Sequence, residues 1–181
     1  MTDLNCISES LQTDTCLILL NNKHLVYTIL TKNSTYLTLI MYYLIYISTA
    51  VKLMSQDDLA DILTKSRANN IAKKVTGILL YSQGTFIQAL EGDEEAVMET
   101  YHKIEKDGNH KNLVIIITGT SKQRVFADWS MAFISVDPNK MDELEGYINP
   151  LKQELFEGNE TNPAITIMKT FADNNNLTYN Q

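Results

Sequence analysis

Gln88 is out of place in its surroundings. A period of two along residues 85–91 puts Phe86, Gln88 and Leu90 on one face of a strand, so an amide stands in an apolar row. Left unpaired in a core it would cost a few kcal/mol, so it needs a polar partner or solvent. The same period along residues 42–48 aligns Leu44, Tyr46 and Ser48, adding a phenol and a hydroxyl. Each residue taken alone has an ordinary explanation. Most polar strand residues are solvated, a tyrosine usually packs its ring and bonds its hydroxyl, and Asn69-Asn70 suits a helix C-terminus. Taken together they describe a phenol and two amides (Tyr46, Gln88, Asn70) at the floor or mouth of a groove. Ile62 and Ile104 are placed to line its two walls. Such a groove suits a flat, hydrogen-bonding ligand.

The elements that must position these groups follow from the pattern after Met41. Residues 42–48 read as a strand, and Ser55-Gln56-Asp57-Asp58 supplies an N-cap and acidic first turn for a helix to Asn69 or Asn70. That helix carries Leu59, Ile62, Leu63 and Ser66 on one face. Residues 75–82 and 85–91 are strands around a Gln83-Gly84 turn. Gly92-Asp93-Glu94-Glu95 opens a second helix that ends near Asp107-Gly108, with Val97, Tyr101 and Ile104 aligned. Residues 113–119 form a strand whose five consecutive apolar residues predict a central place in the sheet. Residues 129–136 form a fifth strand. The order β-α-β-β-α-β plus one strand is ferredoxin-like, an α+β fold with a mixed sheet and two helices on one face. Residues 137–181 read as a helical tail, with a helix over 140–156 broken near Asn149-Pro150 and a polar, frayed end over 174–181.

Composition narrows the function classes. The 181 residues are 44% hydrophobic and 20% charged with a net charge of −7, which predicts a globular chain and disfavours nucleic acid or an anionic membrane as partner. The only cysteines are Cys6 and Cys16, so no disulfide framework or thiolate metal site holds the rest, and a reducing, cytoplasmic setting is expected. The uncharged run over residues 33–51 has the length of a membrane span, but its hydroxyl groups and four tyrosines read as strand. Two readings are open for residues 1–40. They form an extension, either disordered or with a hairpin of residues 16–20 and 25–30, or translation begins at Met41. No metal-ligand spacing, phosphate loop or nucleophile constellation is present, so neither a metal nor a turnover enzyme is expected.

Residues 43–135 resemble BLUF domains, the blue-light sensors that use flavin adenine dinucleotide (FAD). The resemblance rests on Leu44-Ile45-Tyr46-Ile47-Ser48, the pair Asn69-Asn70, Val75-Thr76-Gly77-Ile78-Leu79-Leu80-Tyr81, Phe86-Ile87-Gln88-Ala89-Leu90-Glu91-Gly92 and Phe126-Ala127-Asp128-Trp129-Ser130-Met131, in that order. It implies that Tyr46 gives an electron and a proton to excited flavin, and that Gln88 lies between the phenol and the flavin and then reorients. It implies also that Asn70, with Asn69, holds the pyrimidine edge, that Ile62 and Ile104 sandwich the ring, and that Trp129 and Met131 relay the signal. Ser66, Phe86, Lys103 and His110 complete the candidate cofactor contacts. Asn109 stands where many members carry an arginine, so flavin mononucleotide (FMN) or riboflavin is a possible alternative to FAD. The resemblance implies a short stand-alone sensor that acts through a separate effector protein or as a homo-oligomer. The alternatives are a light-independent ligand- or protein-binding module and an acylphosphatase-like hydrolase on the same fold; for the latter, residues 47–53 offer only Lys52 as an anion-binding cation.

Overall fold

The computed structural model describes residues 15–20, 24–31, 34–127, 132–135 and 162–177. Near the N-terminus, β1 (Thr15–Leu20), β2 (His24–Thr31) and β3 (Ser34–Leu39) form an antiparallel sheet with β2 in the middle. After Ile40 the chain enters β4 (Met41–Ala50), followed by α1 (Gln56–Lys73), β5 (Thr76–Ser82), β6 (Thr85–Gly92), α2 (Glu94–Glu105), β7 (His110–Ser121), β8 (Ala132–Ser135) and α3 (Pro163–Asn174). The second sheet runs β7-β4-β6-β5-β8, antiparallel except for the β5/β8 pair. This is the expected ferredoxin-like topology with one added strand.

Strand alternation divides the core into two layers. Leu44, Tyr46, Leu79, Tyr81, Phe86 and Leu90 pack beneath Leu59 and Leu63 of α1 and Val97 and Tyr101 of α2. On the opposite face, Tyr43, Ile45, Ile78, Leu80, Ile87 and Ala89 meet Ala164, Ile165, Met168 and Ala172 of α3. The helix α3 begins at an Asn162 cap with Pro163 in its first turn. It lies within the expected helical tail, whereas the helix expected over 140–156 lies outside the described residues.

Two expectations are corrected. The apolar run of β7 is not central: β7 is the last strand on its side, beyond β4. Val114, Ile115 and Ile116 are 57%, 39% and 44% exposed, so the run reflects β-branched strand propensity rather than burial on both faces. The helix α1 also does not stop at Asn70. It continues to Lys73, and Lys74 adopts the left-handed conformation that ends it, with its N–H on the last carbonyls.

The start of α1 is held by a reciprocal capping box. The Ser55 hydroxyl accepts from the Asp58 N–H at 3.2 Å, while the Asp58 carboxylate accepts from the Ser55 N–H at 2.9 Å. The Ser55 N–H, the Ser55 hydroxyl donating to the same carboxylate at 2.8 Å, and Lys52 at 3.0 Å hold the Asp58 carboxyl down at about 2. Ser55→Ala is expected to cost about 1 kcal/mol in chemical denaturation; an unchanged midpoint would show that this end of α1 does not limit stability.

Candidate functional site

Between α1 and α2, above the sheet, lies a cavity of about 480 Å³. Its floor is Tyr46 of β4, Leu79 of β5 and Gln88 of β6. One wall is α1, with Ile62, Ser66, Asn69 and Asn70, and the other is α2, with Thr100, Lys103 and Ile104; His110 closes one end. The volume and the mixture of aliphatic walls with a few convergent polar groups suit a small organic ligand.

The floor is a cross-strand pair. Tyr46 and Gln88 are direct partners in the β4/β6 register, and the Tyr46 hydroxyl donates to Gln88 Oε1. Both are buried, which answers the anomaly in the apolar row: the amide's partner is the phenol on the neighbouring strand. Tyr101 meets the Tyr46 ring edge-on with centroids 5.5 Å apart. Burial, then the neighbouring Tyr101 and Asp107, pushes the Tyr46 phenol far above its ordinary pKa, so it remains a proton donor. Asn70 is 1% exposed at the same cavity.

Other candidates take different positions. Asn69 faces the mouth, donating through Nδ2 to the Lys65 carbonyl at 2.9 Å and accepting from Lys103 Nζ at 2.7 Å, a bond that ties α2 to α1. Phe86 is fully buried between Tyr81 and His110, at 4.7 and 4.8 Å, and is not among the cavity-lining residues. Its place is in the core supporting His110. Trp129 and Met131 lie outside the described residues. Lys65, Lys106, Asp58, Asp61 and Asp107 also line the cavity and were not singled out from sequence. Asp58 and Lys65 could have been found by continuing the helical spacing 58, 62, 65, 69 along that face of α1.

His110 Nδ1 is 3.1 Å from the buried Ser48 hydroxyl. Burial lowers the His110 pKa below the ordinary 6.5, and the Asp107 carboxylate opposes this only in part. As pH falls through 6.5 the unfolded chain gains a proton that the folded chain resists, so the stability is full above that pH and declines below it, down to the folded-state pKa. Melting temperature is expected to fall between about pH 7 and pH 5, with a shallower slope in His110→Asn. An equal slope in that variant would place the effect elsewhere.

A family model for BLUF, "Sensors of blue-light using FAD", matches residues 41–132. The chain belongs to the BLUF family. The matched span runs from β4 to the start of β8 and contains the whole cavity floor. Photoactivated adenylate cyclase subunit beta of Euglena longa is 30% identical over 140 residues, covering 74% of this chain and 16% of that protein. Subunit alpha of the Euglena gracilis enzyme is 42% identical over 83 residues, covering 46% of this chain and 8% of that protein. The solved photo-activated state of BlsA aligns with a TM-score of 0.52 at 27% identity, over 78% of this chain and 98% of that one. The chain thus spans a small part of the cyclase subunits that it matches. The matched region is a BLUF-type flavin photoreceptor domain, with the Tyr46–Gln88 bond at its centre, and not a catalytic domain. Among the described residues no group of three His, Cys, Asp or Glu could hold a metal, and no helix is long and apolar enough to cross a membrane.

Proposed function

We propose that this chain senses blue light through FAD held between α1 and α2 and passes the signal to a separate effector protein or to other copies of itself. The observation that carries the reading is the buried Tyr46–Gln88 hydrogen bond at the cavity floor. The donor set supports a flavin. Ile62 and Ile104 offer aliphatic walls to a flat ring, Gln88 and Asn70 offer amides to its polar edge, and Lys65, Lys103 and Lys106 offer cations toward phosphate. When bound, the flavin supplies light absorption and an electron acceptor.

The protein's part is proton and hydrogen-bond control. In this structure the Tyr46 hydroxyl donates to Gln88 Oε1, a bond that we assign to darkness. With a flavin held there as acceptor, an electron and a proton leaving Tyr46 would remove that donor, and their return to Tyr46 would allow the amide to settle in the reversed orientation. A neutral amide donates through one end and accepts through the other, so reorientation exchanges donor for acceptor toward the cavity without burying a charge. Asn70 and Asn69 hold the ligand's edge, and Trp129 and Met131 carry the change outward. Asn109 Nδ2 donates to the Asp107 carboxylate at 3.0 Å and offers no guanidinium to a diphosphate. FMN and riboflavin are therefore accepted beside FAD.

The test is the absorption spectrum of the full chain, reconstituted in turn with FAD, FMN and riboflavin, before and after blue light. A reversible red shift is expected with each. A protein that takes up flavin but shows no shift overturns the photoreceptor reading, and one that takes up no flavin favours a light-independent module. Pull-downs in darkness and in light then identify the effector.

A further inference from the structure

We propose that the Glu91 carboxylate is a positioning group that clamps the β7–β8 connection to β6, the strand that carries Gln88, and thereby sets how fast the lit state relaxes. The proposal rests on the photoreceptor reading above. Glu91 is 1% exposed at the end of β6, and its backbone is paired on both sides, with Tyr43 of β4 and Thr76 of β5. Both carboxylate oxygens accept from the Val125 N–H at 3.0 Å, and Oε2 also accepts from the Phe126 N–H at 2.9 Å. Arg124 fastens the same turn. Its Nη1 donates to Thr76 Oγ1 and to the Glu91 carbonyl, each at 2.8 Å, and its Nη2 donates to the Lys74 carbonyl at 2.6 Å.

A buried carboxylate is expensive, and an apolar residue at the end of a strand would fill the space at lower cost. Burial raises the Glu91 pKa, opposed by the Phe126 and Val125 N–H groups and then by Arg124, so the donors that favour the ion are those of the segment it grips. The grip is specific because two successive backbone N–H groups converge on one acceptor pair. Immediately beyond, Phe126 enters the layer beneath α3. On the other side of the clamp, Gln88 lies three residues earlier on β6, and β8 pairs with β5 from Ala132 onward. Glu91 therefore joins the strand where the amide reorients to the segment leading into β8. A firm joint resists relative movement of the two and slows the return to the dark arrangement.

The test compares the full chain and Glu91→Gln, both loaded with FAD. An amide keeps one acceptor but turns a donor toward the N–H groups. Exchange of the Val125 and Phe126 amides in darkness should quicken about tenfold, as loss of a charge-assisted hydrogen bond implies. The dark spectrum and the size of the red shift should stay unchanged, which separates positioning from damage to the cavity, while recovery in darkness should quicken about threefold or more. Unchanged amide protection, or an unchanged recovery rate, overturns the proposal. Absence of a red shift in the unsubstituted chain overturns the photoreceptor reading instead. If Glu91→Gln does not fold, Arg124→Ala decides: recovery must quicken there too, and an unchanged rate overturns the clamp.

Discussion

Tyr46→Phe is expected to abolish the light-driven red shift while flavin uptake continues. The phenylalanine ring keeps the packing under α1 and α2 and the edge-on contact with Tyr101. Only the hydroxyl is lost, and with it the proton that Tyr46 donates to Gln88 Oε1. The buried amide then lacks that donor at a cost of about 1–3 kcal/mol, a tolerable fraction of the stability of a small domain. No other residue in the described floor offers Gln88 a phenol from the facing strand. The measurement is the light-minus-dark spectrum alongside flavin stoichiometry. A normal photocycle in Tyr46→Phe would overturn the role given to the phenol, and loss of flavin would show that its hydroxyl is needed for binding instead.

The largest effect on the fold is expected from Gly77→Ala. A Cβ at Gly77 would lie 2.0 Å from the Ala89 carbonyl oxygen and 3.0 Å from its carbon. Both are backbone atoms of β6, next to Gln88, so relief requires parting two central strands rather than turning a side chain. The cost is expected to be about 3 kcal/mol or more, a large part of the margin by which such domains are stable. Thermal denaturation should show a melting temperature lowered by many degrees and flavin uptake lost with it. Gly108→Ala, where nothing lies within 4 Å of the new methyl group, is the matched control and should behave as the parent. Equal melting temperatures for the two variants would mean that the β5/β6 contact is looser than described.

Much of this architecture was legible because alternation and capping are local. Phe86, Gln88 and Leu90 share a face as the period of two requires, and Ser55 with Asp58 opens α1 as its residue types suggest. The groove could be anticipated from Ile62 and Ile104 because two helices on one face must leave a seam. Strand order is not local, and there the reading failed: a run such as Val114-Ile115-Ile116 looks the same in a central strand and at an edge. Glu91 gives no local sign of its role beyond its place in the matched Phe86–Gly92 motif, since the donors it serves are 34 and 35 residues away. The helix α3 carried an ordinary signal, Asn162-Pro163 followed by Ile165, Met168 and Ala172, within a tail read only in outline.

The shape of β7 bears on how the protein behaves in concentrated solution. Its pairing with β4 shifts register between Ile45 and Tyr46 and again between Ile47 and Thr49, and Asn112 has a φ of 56° near the second shift. An irregular, twisted edge is a poor template for stacking identical chains, whereas a flat one bearing Val114, Ile115 and Ile116 would invite fibre growth. Regularising the strand would leave a flatter edge, more open to pairing with the same strand of another copy.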